Sequence, residues 1–347
     1  MRVERVTPGR RAPARLAGAI LTRDLTVGGK RWSKGRRLSE EDLLALAAAE
    51  PAAAVTVVVP TGNELHEDDA ALRLAKAIAG SGLDVRGPNQ SRLDLVATAD
   101  GVVTVRIAEL ERINRLDPLE VFTVFDGQVV EKGDLVASVK VAPHLVDAGV
   151  IEAGARIAGF GSQPIVFVSP FGARRVGVVV KESVRGTVKA RFEASVRAKI
   201  EGLGSEILDI VYVEDDPDAV ETAVGRFTRG AETADLVLTA GSASTDPEDA
   251  FFVAIGALGG RVVRRGVPSH PGSMLWLARV GGTSILGLPT CGAYSKATAA
   301  DLLLPRLLAG EPPSEATVAR MGHGGILTRD QRFRFPRYAR ELEEPDG

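Results

Sequence analysis

The regular alternation of short apolar runs with helix-forming stretches over residues 176–308 constrains this chain more than any other feature. Residues 176–180, 207–213, 234–239, 261–265 and 283–288 read as strands, and 186–202, 217–229, 247–258 and 295–308 read as helices. Runs such as Val176-Gly-Val-Val-Val180 are apolar throughout rather than alternating, the pattern of strands buried on both faces. Such strands, separated by helices, predict a parallel sheet with helices on both sides, a three-layer α/β domain. The ligand crevice of such a sheet lies outside the carboxyl ends of the strands. The loops that begin at 181, 239 and 287 are therefore expected on one rim, around a pocket.

The loop Thr239-Ala-Gly-Ser-Ala-Ser-Thr-Asp-Pro-Glu-Asp249 joins a buried strand to a helix through small residues and acids. Gly241, Ser242 and Ser244 let a backbone approach a ligand closely and offer N–H and hydroxyl donors, which suits a phosphate at a strand-turn-helix unit. Asp246 is expected to cap the following helix, with Pro247 at its first position and Glu248 and Asp249 near its positive end. A second loop, Gly287-Leu-Pro-Thr-Cys-Gly-Ala-Tyr-Ser-Lys296, reads as its partner.

Two common occupants of such a crevice are argued against. After 176–180 the chain reads Val180-Lys-Glu-Ser-Val-Arg-Gly186, without the close glycine spacing of a dinucleotide loop, and no Gly-Lys-Ser/Thr triphosphate loop occurs. A net charge of -2 gives no reason to expect a nucleic-acid binder. The one cysteine, Cys291, rules out an intrachain disulfide and a cysteine zinc cluster, and His66, His144, His270 and His323 lack metal-ligand spacing. No stretch would span a bilayer and the first ten residues are not signal-like, so a soluble cytoplasmic protein is expected.

At 347 residues the chain is expected to hold two or three domains. Before residue 170 the pattern is a mixed α+β module. Ser39 caps a helix near 40–47, 54–59 is a strand, and 70–79 is a periodic helix ended by Gly80 and Gly82. Strand-like runs at 93–98, 101–106, 121–125, 128–130 and 135–141 surround a short helix at 109–116. The expected division is 1–170, 171–311 and a C-terminal tail at 312–347, its last residues poorly ordered.

At three places the chain resembles the molybdopterin-binding domain of molybdenum-cofactor biosynthesis proteins. Thr239-Ala-Gly-Ser-Ala-Ser-Thr-Asp246 is similar to a Thr-Gly-Gly loop followed by Ser and an acid. His270-Pro-Gly-Ser-Met274 is similar to a Pro-Gly-x-Pro turn, and Gly287-Leu-Pro-Thr-Cys-Gly292 to a Gly-Leu-Pro-Gly-Asn-Pro loop. Asp246-Pro-Glu-Asp249 and Cys291 fit best a subgroup of molybdopterin-binding proteins, some of them fused to a molybdenum-cofactor nucleotidyltransferase. The likeness covers about 176–310, and 17–142 also looks like the amino-terminal part of that subgroup. The molybdenum-inserting enzymes resemble one another in a Thr-Gly-Asp-Glu-Leu loop after the first strand, where this chain reads Val180-Lys-Glu-Ser-Val184. Thr61-Gly-Asn-Glu-Leu65 lies much earlier and reads as coincidence.

The resemblance implies a protein that binds molybdopterin or molybdenum cofactor and acts in its biosynthesis, storage or delivery to a molybdoenzyme. Molybdopterin carries a pterin, a dithiolene and a terminal phosphate. The implied pocket residues are Thr239, Gly241, Ser242, Ser244, Pro271, Gly272, Ser273, Pro289, Thr290, Cys291, Gly292, Ser295 and Lys296. Asp246 and Asp249 would accept from the pterin N–H groups or, with Glu182, hold Mg²⁺; no metal set is specified by spacing. Two other readings stand beside this one. One is a Mg²⁺-dependent transferase or hydrolase acting on adenylylated molybdopterin through Asp246, Asp249 and Glu182. The other is a non-catalytic scaffold with a decayed pocket. Expected partners are the pterin itself, a molybdoenzyme or cofactor-synthesis protein, and a second copy of the chain, with no nucleic acid or membrane. Taken singly, Asp249 also reads as a first-turn acid, Lys296 as a solvated lysine, Glu182 as a surface residue and Cys291 as a small packed one.

Overall fold

The computed structural model describes residues 1–341 except 90, 162, 182–186, 231 and 289–296. The chain forms two compact units. One comprises 1–98, 104–126 and 132–168, and the other comprises 99–103, 127–131 and the chain from 169 onward.

The first unit is the mixed α+β module. Its helix Glu40–Ala48 begins with the expected cap, the Ser39 hydroxyl accepting from the Asp42 N–H while the Asp42 carboxylate returns to the Ser39 N–H. Strands Leu119–Thr123, Leu135–Val141, Arg92–Ala97 and Leu83–Asn89 form an antiparallel sheet in that order. Leu16, Trp32, Leu38, Leu43 and Leu46 fill a separate small core against Val57 and Val59. At Thr61–Leu65 the Glu64 carboxylate accepts from the Thr61 and Gly62 N–H groups, at 2.9 and 3.0 Å, and pairs with the Met1 ammonium, in a turn that leads into the strand Glu64–His66.

In the second unit β1 (Arg175–Val180), α1 (Thr187–Glu201), β2 (Glu206–Tyr212), α2 (Pro217–Arg229), β3 (Leu236–Ala240), α3 (Ala250–Ala257) and β4 (Arg261–Arg265) follow one another. Then come β5 (Trp276–Val280), β6 (Thr283–Leu288), α4 (Ala300–Leu308), α5 (Glu315–Arg320) and α6 (Arg337–Glu341). The sheet order is β2-β1-β3-β6-β5-β4. The first four strands are parallel; β5 runs antiparallel to both β6 and β4.

Side-chain alternation sorts the sheet into two cores. Val176, Val178, Val180, Leu236 and Leu238 face Phe192, Val196 and Ile200 of α1 and Leu303, Leu304 and Leu308 of α4. Val179, Val237 and Ile285 face Val220, Val224 and Phe227 of α2 and Phe251 and Ile255 of α3. The three layers are as predicted, but the sheet is mixed. A turn and the 276–280 strand lie between the 261–265 and 283–288 runs, and that extra strand returns the chain by a short hairpin where a parallel link would need a helix. Phe335 and Ala339, placed by the sequence in a tail, are buried in the α1/α4 core. The expected disorder of the last residues lies outside the described residues.

Two glycines are there for close packing. A Cβ on Gly177 would fall 2.4 Å from the Phe227 ring, and one on Gly287 would fall 1.9 Å from the Trp276 indole. Gly287 pairs directly with Trp276 across β6 and β5, so the glycine leaves the space that the indole fills.

Candidate functional site

The strand order defines where a ligand can sit. From β1 the chain moves to β2 on one side and then, through α2, to β3 on the other. The connections diverge between β1 and β3, and a crevice forms outside the carboxyl ends at such a point. Lys181 immediately follows β1, and the 241–249 loop follows β3.

Lys181 is the centre of what is built there. Its N–H donates to the Ala240 carbonyl at 2.9 Å, extending the β1–β3 pairing by one bond. Its ammonium, 4% exposed, lies 2.7 Å from Asp249 Oδ2 and 2.8 Å from Asp215 Oδ1, with the Phe251 ring centroid 5.7 Å away. The two carboxylates differ sharply, Asp249 being 1% exposed and Asp215 68%. Removing one partner of a buried pair costs about 3–5 kcal/mol, whereas a surface ion pair contributes ~0–1 kcal/mol. Asp249 therefore holds the lysine, and Asp215 is a loosely held third member. Burial pulls the Lys181 pKa down, but the bonds from Asp215 and Asp249 outweigh it and the net shift is upward.

Asp249 also organises the loop. Oδ2 accepts the Ala243 N–H at 2.7 Å and Oδ1 the Phe251 N–H at 3.0 Å, so this residue, and not Asp246, caps α3. The helix accordingly begins at Ala250, three residues later than the sequence pattern placed it. The reason is local: Asp246 Oδ1 accepts the Glu248 N–H at 2.9 Å in a tight turn, which delays the helix and leaves Asp246 exposed on the rim.

The other expected residues take several roles. Ser242 is buried, and its hydroxyl accepts the Trp276 indole N–H at 2.8 Å. Gly241 has φ +91°, a left-handed conformation that favours glycine. The hydroxyls of Thr239 and Ser244 are buried without a hydrogen-bond partner among the described residues. In the turn, the Pro271 carbonyl accepts the Ala299 N–H at 2.9 Å, and a Cβ on Gly272 (φ +114°) would fall 2.8 Å from the Ala299 nitrogen. Ser273 is exposed, its carbonyl accepting the Val267 N–H. Pro271 and Gly272 thus brace the residue just before α4. Glu182, Pro289, Thr290, Cys291, Gly292, Ser295 and Lys296 lie outside the described residues.

Residues 175–309 match the family model of a probable molybdopterin binding domain. The match spans β1 to α4 and includes both loops and the turn. Among solved structures the chain is similar to the molybdopterin biosynthesis enzyme MoaB of Thermus thermophilus, with 22% identity, a TM-score of 0.30, and 40% of this chain and 98% of that one covered. It is also similar to the molybdopterin biosynthesis MoeA protein of Pyrococcus horikosii, at 14% identity and a TM-score of 0.31, covering 75% of this chain and 81% of that one. A third, a molybdopterin biosynthesis protein of Mycobacterium abscessus, is 17% identical with a TM-score of 0.30, over 44% of this chain and 99% of that one. No curated protein matches the chain.

Sequence reasoning placed the loop that begins at Lys181 on the rim but gave Lys181 itself no role, and it missed Asp215 and Trp276. An ionisable residue directly after an all-apolar strand was the available signal for Lys181. Nothing local marks Asp215, which meets Lys181 only because β2 and β1 are neighbours. Among the described residues no group of three or more His, Cys, Asp and Glu side chains is arranged to hold a metal ion, and no helix is long and apolar enough to cross a membrane.

Proposed function

We propose that the second unit binds molybdopterin or molybdenum cofactor at the β1/β3 rim and that the protein acts in the biosynthesis, storage or delivery of that cofactor. The observation that carries this reading is the family match on residues 175–309, which takes in the strand-turn-helix loop at the point where the sheet connections diverge. The residues present suit such a ligand. Thr239 and Ser244 bring buried hydroxyls with no partner among the described residues, and an unpaired buried hydroxyl is costly unless something else satisfies it. Gly241 opens the backbone next to them, and the exposed Asp246 stands on the rim as an acceptor for ring or amino N–H groups.

Expression in a host that makes the cofactor, followed by oxidation and fluorescence analysis of the purified protein, tests the reading. A stoichiometric oxidised pterin is expected, reduced in Ser244→Ala and in Gly241→Val. A pterin-free protein that also shows no binding on titration sinks it.

A further inference from the structure

We propose that Lys181 is a tethered cation standing in for a divalent metal at this site, and that Asp215 is a gate carboxylate which an anionic group of the ligand displaces from it. The proposal rests on the molybdopterin-binding reading and departs from the Mg²⁺-dependent chemistry that the resemblance brings with it.

Among the described residues of this rim Asp215 and Asp246 are exposed, and Asp249 is the buried carboxylate. Its two oxygens already accept from the Lys181 ammonium, the Ala243 N–H and the Phe251 N–H. A divalent ion taking Oδ2 would have to expel a buried ammonium at 2.7 Å and strip the loop of the bond that shapes it. Asp246, the other acid of the motif, is exposed, and one of its oxygens, Oδ1, already accepts the Glu248 N–H. The residue directly after β1 is Lys181, and its N–H still pairs with the Ala240 carbonyl of β3. The lysine puts a fixed positive charge there, 2.7 Å from Asp249.

A lysine can do what a bound cation does electrostatically: neutralise Asp249 and offer N–H donors to a negatively charged group. Lys181 has three such donors. One is committed to the buried Asp249 and one to Asp215, whose side chain is 68% exposed. With both acids counted, one positive and two negative charges leave the cluster at -1, which repels an anion. With Asp215 swung into solvent the remainder is neutral and exposes an N–H donor. On the neighbouring loop the Ser244 hydroxyl is buried with no partner among the described residues, which leaves it a donor to offer an anion. A phosphate monoester is the matching chemistry, with inorganic phosphate as its simplest probe.

Two titrations of the full chain test this without the pterin. Phosphate binding is measured by calorimetry on the wild type, Asp215→Ala and Lys181→Met. Removing the competing carboxylate is expected to tighten phosphate about tenfold, and removing the ammonium to weaken it by at least as much, in line with the size of charge-truncation effects at close pairs. Mn²⁺ binding, followed by electron paramagnetic resonance, is expected to be undetectable at millimolar metal in the wild type. It should appear in Lys181→Ala, where the ammonium no longer competes for Asp249 Oδ2 and Asp215 Oδ1. Lys181→Arg keeps the charge and guards against a folding artefact; it is expected to stay metal-free and to retain phosphate binding. Tight Mn²⁺ binding by the wild type, or phosphate affinity unchanged in both Asp215→Ala and Lys181→Met, would falsify the proposal. Failure of wild-type protein to carry pterin bears on the functional reading alone, because neither titration uses it.

Discussion

Asp249 and Asp215 hold the same ammonium, and the consequences of losing them differ in size. Asp249→Ala removes a cap, frees the Ala243 and Phe251 N–H groups and leaves a buried ammonium facing only an exposed partner. A loss of about 3–5 kcal/mol in urea unfolding is expected, against less than about 1 kcal/mol for Asp215→Ala. The pH dependence follows from the raised Lys181 pKa. A lysine whose folded-state pKa exceeds its unfolded value of 10.5 contributes stability in full below that value and loses it as pH rises through the higher folded pKa. Wild type and Lys181→Met should therefore differ by a constant amount from about pH 6 to 9 and converge only in strong alkali. A difference that changes across the neutral range would show that another group titrates with the cluster. Gly287→Ala tests the other fixed point. Its methyl group would enter the Trp276 indole, so about 1–3 kcal/mol or more should be lost, with a shift in tryptophan emission.

Helix starts connect those residues to the elements. Asp216 accepts the Ala219 N–H at 2.9 Å and precedes Pro217 at the first turn of α2, while Asp246, in the same Asp-Pro pattern, caps no helix. Asp216→Ala is accordingly expected to cost about 1 kcal/mol and Asp246→Ala under about 0.5 kcal/mol, measured as shifts in the urea midpoint. Two identical dipeptides, one a cap and one a turn, show where local sequence stops being informative. The alternation of β1, α1, β2, α2 and β3 was legible because each element carries its own periodicity. β5 was not, since Trp276–Val280 follows an irregular turn and owes its position to pairing with β6 and to the space over Gly287. The 289–296 loop lies outside the described residues, while the turn of the 239–249 loop was legible through Gly241 and the Asp-Pro pair. The Lys181 cluster was not, because it assembles residues from three loops and depends on strand order, which no local pattern encodes.

At the scale of the whole chain, the second unit is not a continuous segment. It takes in 99–103 and 127–131 as well as everything from 169 onward. Within it, Val129 and Val130 pair antiparallel with Val102 and Gly101, and the Phe171 N–H donates to the Asp100 carbonyl at 3.1 Å. The backbone of Gly127 lies so close to the Arg306 guanidinium of α4 that a Cβ there would fall 2.2 Å from it. A fragment cut at the boundary that the sequence pattern marks, 171–347, therefore keeps the six-stranded sheet but loses the strand pair at 101–102 and 129–130 and the backbone that covers Arg306. Arg306 is 8% exposed in the intact protein and is also paired with Glu311 at 2.9 Å, so its uncovering changes α4 next to the candidate site. The fragment is expected to fold, because both cores of the sheet are internal to it, but to melt several degrees below the same unit in the full chain, as a loss of about 1–2 kcal/mol would dictate. Faster amide exchange should be confined to α4 and the 169–174 segment. Equal melting temperatures and an unchanged exchange map would show that the two short excursions contribute nothing to the unit, and that the continuous segment is the whole of it.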